Sequence, residues 1–162
     1  MSRLTRDTEQ TRFSGTFSAT VPAPADAVFA LVTDVARLPE WNPAIIRVLE
    51  APPVLAPGAE WVVVVKPTGW PSWPSRSRVR ELHPQSGVFA YRSRTDDGNP
   101  SYADWRWHVT PEAGGARLAV SWELHPQTFW RKHLFARLRQ HRLSKTEAPG
   151  SVAALSRLLS TP

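Results

Sequence analysis

The chain has 162 residues, 41% of them hydrophobic, so a single domain can bury roughly two-thirds of its unfolded surface. It contains no cysteine, which excludes disulfides, thiolate metal sites and cysteine nucleophiles, and it carries eight tryptophans, each a large flat apolar body with one polar handle. The net charge of +6 is local: residues 131–145 hold Arg131, Lys132, Arg137, Arg139, Arg142 and Lys145 with no acid, and the rest of the chain is neutral.

No apolar run approaches the roughly 18 residues of a membrane span. The opening "MSRLTRDTEQTR" lacks the apolar centre of a signal peptide. Residues 1–11 read as a polar tail ahead of one domain over 12–162, expected in the cytoplasm.

In chain order, "RFSGTFSATV" alternates, with Phe13, Phe17, Ala19 and Val21 on one face, and predicts a half-buried strand. "PAPADAVFALVTD" predicts a helix, its prolines suited to the start and Ala27, Val28, Leu31 and Val32 at helical spacing. Pro39 and Pro43 cut short a second helix in "VARLPEW". Six more strands follow, separated by turn chemistry: "AIIRVLE", "AEWVVVVK", "SRSRVRELH", "VFAYRSRT", "YADWRWHVT" and "ARLAVSWELH". Their short links predict an antiparallel meander. A long helix runs from about Thr128 to Leu159, with Pro149-Gly150 expected to kink or divide it.

An antiparallel sheet of seven strands curls, and a long terminal helix can lie across its concave side. This order, with "VPAPADAVFALVTDVARLPEWNPAI" and a last helix broken near "EAPGSVAALSRLL", resembles the START-like (SRPBCC) helix-grip superfamily. Within it the chain is most similar to the polyketide cyclase/dehydrase and lipid-transport group, over about residues 12–160. The resemblance implies an α+β domain that holds a hydrophobic ligand between sheet and helix. It also implies, as an alternative, a cyclase or dehydratase in which cavity shape folds a reactive chain with little acid–base help.

Strand parity gives a testable inner face. Phe89 and Tyr91 oppose Arg92 and Arg94; Trp105, Trp107 and Val109 share a side; so do Leu118, Val120, Trp122 and Leu124; Ser75, Ser77 and Val79 oppose Arg76, Arg78 and Arg80. Broad aromatics with small hydroxyls suit a small-molecule pocket. They equally suit a solid core. Alternate links of a meander emerge at one end, which gathers Trp41, Asn42, Trp70, Trp73, Phe129 and Trp130 there, either as a cavity mouth or as a plug.

The series Leu134, Leu138, His141, Lys145, Ala148, Val152, Leu155 and Leu159 sets His141 and Lys145 on an otherwise apolar helix face, from which Lys145 can snorkel to water. His141 there can serve as an acid or base, or sit at the boundary with its polar end in water. No dedicated catalytic group is marked, and binding without catalysis is the expectation; for the enzyme alternative the candidates are Tyr91 and His141. The expected ligand contacts are Trp41, Phe89, Tyr91, Trp105, Trp107, Val120, Trp122, Phe129, Leu138 and His141.

The five histidines show no metal spacing, and no phosphate loop, dinucleotide fingerprint or nucleophile elbow is present, so no metal or cofactor is expected. The basic segment 131–145, beside mouth aromatics, suits an anionic membrane surface, or is simply a solvated helix face. No nucleic-acid motif accompanies it, and no nucleic-acid partner is expected.

Overall fold

Seven strands build one sheet in the order β1-β7-β6-β5-β4-β3-β2, every neighbouring pair antiparallel. The structure is a computed structural model that describes residues 13–128 and 136–160. The strands are β1 (Ser14–Val21), β2 (Ile45–Glu50), β3 (Glu60–Val65), β4 (Trp73–His83), β5 (Val88–Thr95), β6 (Tyr102–Glu112) and β7 (Gly115–His125). Between β1 and β2 lie α1 (Ala25–Val32), a 3-10 turn (Val35–Arg37) and α2 (Leu38–Trp41). The chain closes with α3 (Ala136–Arg142), a π-helical turn (Leu143–Glu147) and α4 (Ala148–Ser160). This is the α+β helix-grip layout expected from the sequence.

The elements form where local chemistry favours them. α1 begins directly after Pro24, carries Asp26 in its first turn where the helix dipole favours an acid, and buries Val28, Leu31 and Val32. α2 lasts only four residues, with Pro39 in its first turn and Pro43 beyond its end. The β4–β5 turn closes on Gly87 at φ 70°, where a Cβ would fall 2.0 Å from the Val109 carbonyl oxygen, so only glycine fits. Parity holds along β4, β6 and β7: Ser75, Ser77, Val79, Trp107, Val109, Leu118, Val120, Trp122 and Leu124 are all buried.

The last helix departs from the expected kink. Pro149 lies in the first turn of α4, and the turn before it, Leu143–Glu147, widens to π geometry. Proline removes one backbone donor and crowds the carbonyl four residues back, and a wider turn relieves both problems without breaking the helix. The widening adds a residue to the turn and so shifts the phase of everything before it. Ala148, Val152 and Leu155 are buried as the heptad-like series predicts, whereas Lys145, His141 and Leu138 face solvent. Ala136, Leu143 and Glu147 take the inner face instead.

Candidate functional site

Between the sheet and the last helix is a cavity of about 160 Å³. From the sheet side it is bordered by Trp61, Val63 and Val65 of β3, Trp73, Ser75 and Ser77 of β4, and Tyr91 and Ser93 of β5. β6 and β7 add Trp105, Trp107, Val120 and Leu124. Leu38, Asn42 and Ala44 close it near α2, and Ala136, Arg139, Leu143, Glu147, Ala148 and Ser151 close it from the helix. The wall is thus largely apolar, with hydroxyls set into it at intervals.

Tyr91 is the polar centre of the sheet wall. Its ring lies edge-on to Trp61 at 4.8 Å, tilted against Phe89 at 5.1 Å and stacked on Trp105 at 6.4 Å. The Trp107 indole N–H donates to its hydroxyl oxygen across 3.4 Å, and among the described residues no acceptor takes the Tyr91 hydrogen. Burial pushes this hydroxyl up to about 12, and the Trp107 N–H offsets only part of the shift. Tyr91 is therefore a neutral donor at ordinary pH. Beside it, Trp105 donates its indole N–H to Ser93 Oγ at 2.9 Å. Ser75 and Ser77 are buried and border the void with their hydroxyls.

The helix wall holds a buried ion pair. Arg139 Nη1 donates to both carboxylate oxygens of Glu147, at 2.5 and 2.6 Å, and the two side chains are only 12% and 10% exposed. Desolvation lowers the Arg139 pKa below its ordinary value, and the Glu147 charge opposes that shift. In an uninterrupted α-helix residues eight apart stand about 80° out of phase. The π turn removes that offset and lets the pair meet. Arg139 also lies 5.9 Å over the Trp73 ring.

The expected contacts divide into groups. Tyr91, Trp105, Trp107, Val120, Asn42 and Trp73 all border the cavity. Phe89 and Trp122 are buried behind it: Phe89 stacks on Trp61 at 5.9 Å, and Trp122 donates its indole N–H to Gln140 Oε1 at 2.8 Å. Trp41 is not at a rim. It is 2% exposed and meets Trp107 edge-to-face at 5.4 Å, and its Nε1 is sealed without a partner among the described residues. Pro39 and Pro43 hold α2 to a single turn, which delivers Trp41 into the core and leaves Leu38 and Asn42 toward the cavity.

Leu138, 48% exposed, and His141 point to solvent, because the π turn rotates α3 away from the phase of a continuous helix. Trp70 lies on the β3–β4 link with the Arg142 guanidinium 5.8 Å from its ring. Phe129 and Trp130 lie outside the described residues, as do Arg131, Lys132 and Leu134 of the C-terminal segment.

Sequence reasoning missed Trp61, Arg139 and Glu147. Trp61 opens the run "WVVVV", all of it buried, which has no alternation to mark an inner side. Arg139 is hidden inside a run of cations that reads as one charged face. The lone acid after that run, Glu147, was the available signal. Among the described residues no group of three or more His, Cys, Asp or Glu can hold a metal ion, and no helix is long and apolar enough to cross a membrane.

Comparison with known proteins agrees with this architecture. The family described as polyketide cyclase / dehydrase and lipid transport matches residues 12–148. Among solved structures, the Zhui aromatase/cyclase from Streptomyces sp. R1128 is similar with a TM-score of 0.69 and 19% identity, over 90% of this chain and 92% of that one. The di-domain ARO/CYC StfQ of the steffimycin biosynthetic pathway gives a TM-score of 0.74 at 15% identity, over 95% of this chain and 53% of that one. The polyketide-cyclase-like protein Cgl2372 from Corynebacterium glutamicum gives 0.59 at 25% identity, over 91% of each chain. No curated protein matches the chain.

Proposed function

This chain belongs to the polyketide cyclase/dehydrase and lipid transport family, and we propose that it binds a hydrophobic small molecule between its sheet and its last helix. The observation that carries this reading is the void of about 160 Å³ walled by Trp61, Tyr91, Trp105 and Trp107. A dry cavity of about 150 Å³ is known to hold benzene, whereas pockets for drug-sized ligands run to several hundred Å³. The fit is therefore to one ring or a short acyl segment. The unpaired Tyr91 hydrogen and the Ser75 and Ser77 hydroxyls favour a ligand bearing a hydroxyl or carbonyl group. Phenol tests this: titration should quench or shift the tryptophan emission with saturation. A linear, unsaturable response would contradict it.

A second reading, a cyclase or dehydratase acting on a polyketide-like chain in the same cavity, is favoured by the neutral Tyr91 donor and by the aromatase/cyclase names of similar structures. A hydroxyl that keeps its proton can donate to a carbonyl oxygen as that oxygen gains charge. If this reading holds, Tyr91→Phe lowers turnover of a proven substrate while His141→Ala leaves it unchanged. The exposed Arg137 and Lys145, with Arg142 beside the Trp70 ring, support docking on an anionic membrane surface. Salt-sensitive binding to anionic vesicles, absent with neutral ones, is the expected result.

A further inference from the structure

The Arg139–Glu147 pair leaves part of its donor set unused. Both bonds come from Nη1, and the N–H groups on Nε and Nη2 have no acceptor among the described residues. They are not sealed in, since Trp41 Nε1 is the only sealed, unpartnered side-chain polar atom among those residues. The open space that Arg139 borders is the cavity. Resting on the proposed ligand-binding role, we propose that Arg139 is the polar anchor of the cavity and reads a ligand with two neutral oxygen acceptors side by side.

The Nε and Nη2 edge of a guanidinium is a planar fork of parallel N–H groups, and it matches paired oxygens. A carboxylate, a cis-1,3-dicarbonyl and an ortho-hydroxycarbonyl all present such a pair. Charge decides between them. Glu147 already neutralises Arg139, and Arg142, the other cation that acts on Arg139, does not border the cavity, so a carboxylate would add a second negative charge close to Glu147. Arg94 stands exposed at the border, with its guanidinium 5.6 Å from the Tyr102 ring, where water screens it. His125, on the same border, turns its Nε2 to Glu123 at 2.9 Å and Asp104 at 3.8 Å, so that nitrogen is engaged outside the cavity. The neutral acceptors are therefore preferred. Ser151, buried on the same helix wall, and Tyr91 on the opposite wall supply further hydroxyls for the same molecule.

The test uses acetylacetone as the neutral dicarbonyl, benzoate as the acid and toluene as the apolar control, each titrated by tryptophan fluorescence. The main variant is Arg139→Met with Glu147→Leu, which removes both charges together and leaves no buried ion unpaired. Arg139→Lys is the second variant; it keeps the charge beside Glu147 but loses the fork. Acetylacetone should bind wild type about tenfold or more tightly than either variant. It should also bind wild type more tightly than benzoate does. Toluene should bind the double variant at least as tightly as wild type.

Unchanged acetylacetone affinity in the double variant, with toluene still bound, would overturn the Arg139 anchor while leaving the cavity reading intact. Benzoate binding more tightly than acetylacetone would overturn the neutral-acceptor assignment. Failure of all three probes to bind wild type would overturn both the anchor and the ligand-binding role.

Discussion

Trp107 donates its indole N–H to the Tyr91 hydroxyl across 3.4 Å, and that bond determines what the phenol can still do. One side of the oxygen is occupied by the donor, and the phenolic hydrogen is left without an acceptor among the described residues. A buried donor without a partner carries a desolvation penalty that a ligand oxygen can relieve. Tyr91→Phe should therefore weaken phenol binding about two- to tenfold and leave toluene binding unchanged. Equal loss of both probes would mean that Tyr91 contributes shape alone.

The same hydroxyl sets a pH dependence. Its value is pushed from 10.0 up to about 12 by burial, so the unfolded chain releases this proton first. Below pH 10 the contribution is fully present. Between pH 10 and 12 the folded state holds more protons than the unfolded one, and stability falls as pH rises. By pH 11 wild type should lose on the order of 1 kcal/mol more than Tyr91→Phe, relative to pH 8. Urea unfolding of both proteins at the two pH values checks this, and parallel losses would contradict it.

Ser77 pairs with Trp61 across β4 and β3, is buried, and borders the void. Ser77→Leu places extra methyl groups where a guest would sit, and filling a cavity commonly adds about 0.5–2 kcal/mol of stability. Phenol binding should fall about tenfold or more while the Tm stays level or rises. A large fall in Tm would show that no room exists there.

Gln140 ties the helix to the sheet. Its Oε1 accepts the Trp122 indole N–H at 2.8 Å, and its Nε2 donates to the Ser14 carbonyl oxygen at 2.8 Å. Trp122 in turn lies against Gly15, where a Cβ would come within 2.5 Å of the indole. Gln140→Leu strands a buried indole N–H and should cost about 1–3 kcal/mol in denaturant unfolding. A change below about 0.3 kcal/mol would mean that the helix is held by its apolar contacts alone.

The sheet was legible in the sequence because period-two alternation and turn chemistry agree along β4, β5, β6 and β7. Parity alone found Tyr91, Trp105, Trp107 and Val120 for the cavity wall. The helix side was not legible in the same way. Extrapolating one α-helical phase back from Leu155 requires every turn to have the same width, and Pro149 forces one that does not. Hence Leu138 and His141 exchange places with Arg139 and Leu143. Trp41 misled for a different reason: prolines on both sides suggest a loop, but a single helical turn between them carries the indole into the core.

The eight indole N–H groups offer direct reporters of whether the protein admits a guest. In a 1H–15N correlation spectrum recorded during phenol titration, the Trp61, Trp105 and Trp107 side-chain signals should move farthest and saturate together. Trp122, fastened to Gln140 behind the wall, should move least. Saturating phenol that leaves all three wall signals in place would contradict the existence of an accessible binding cavity.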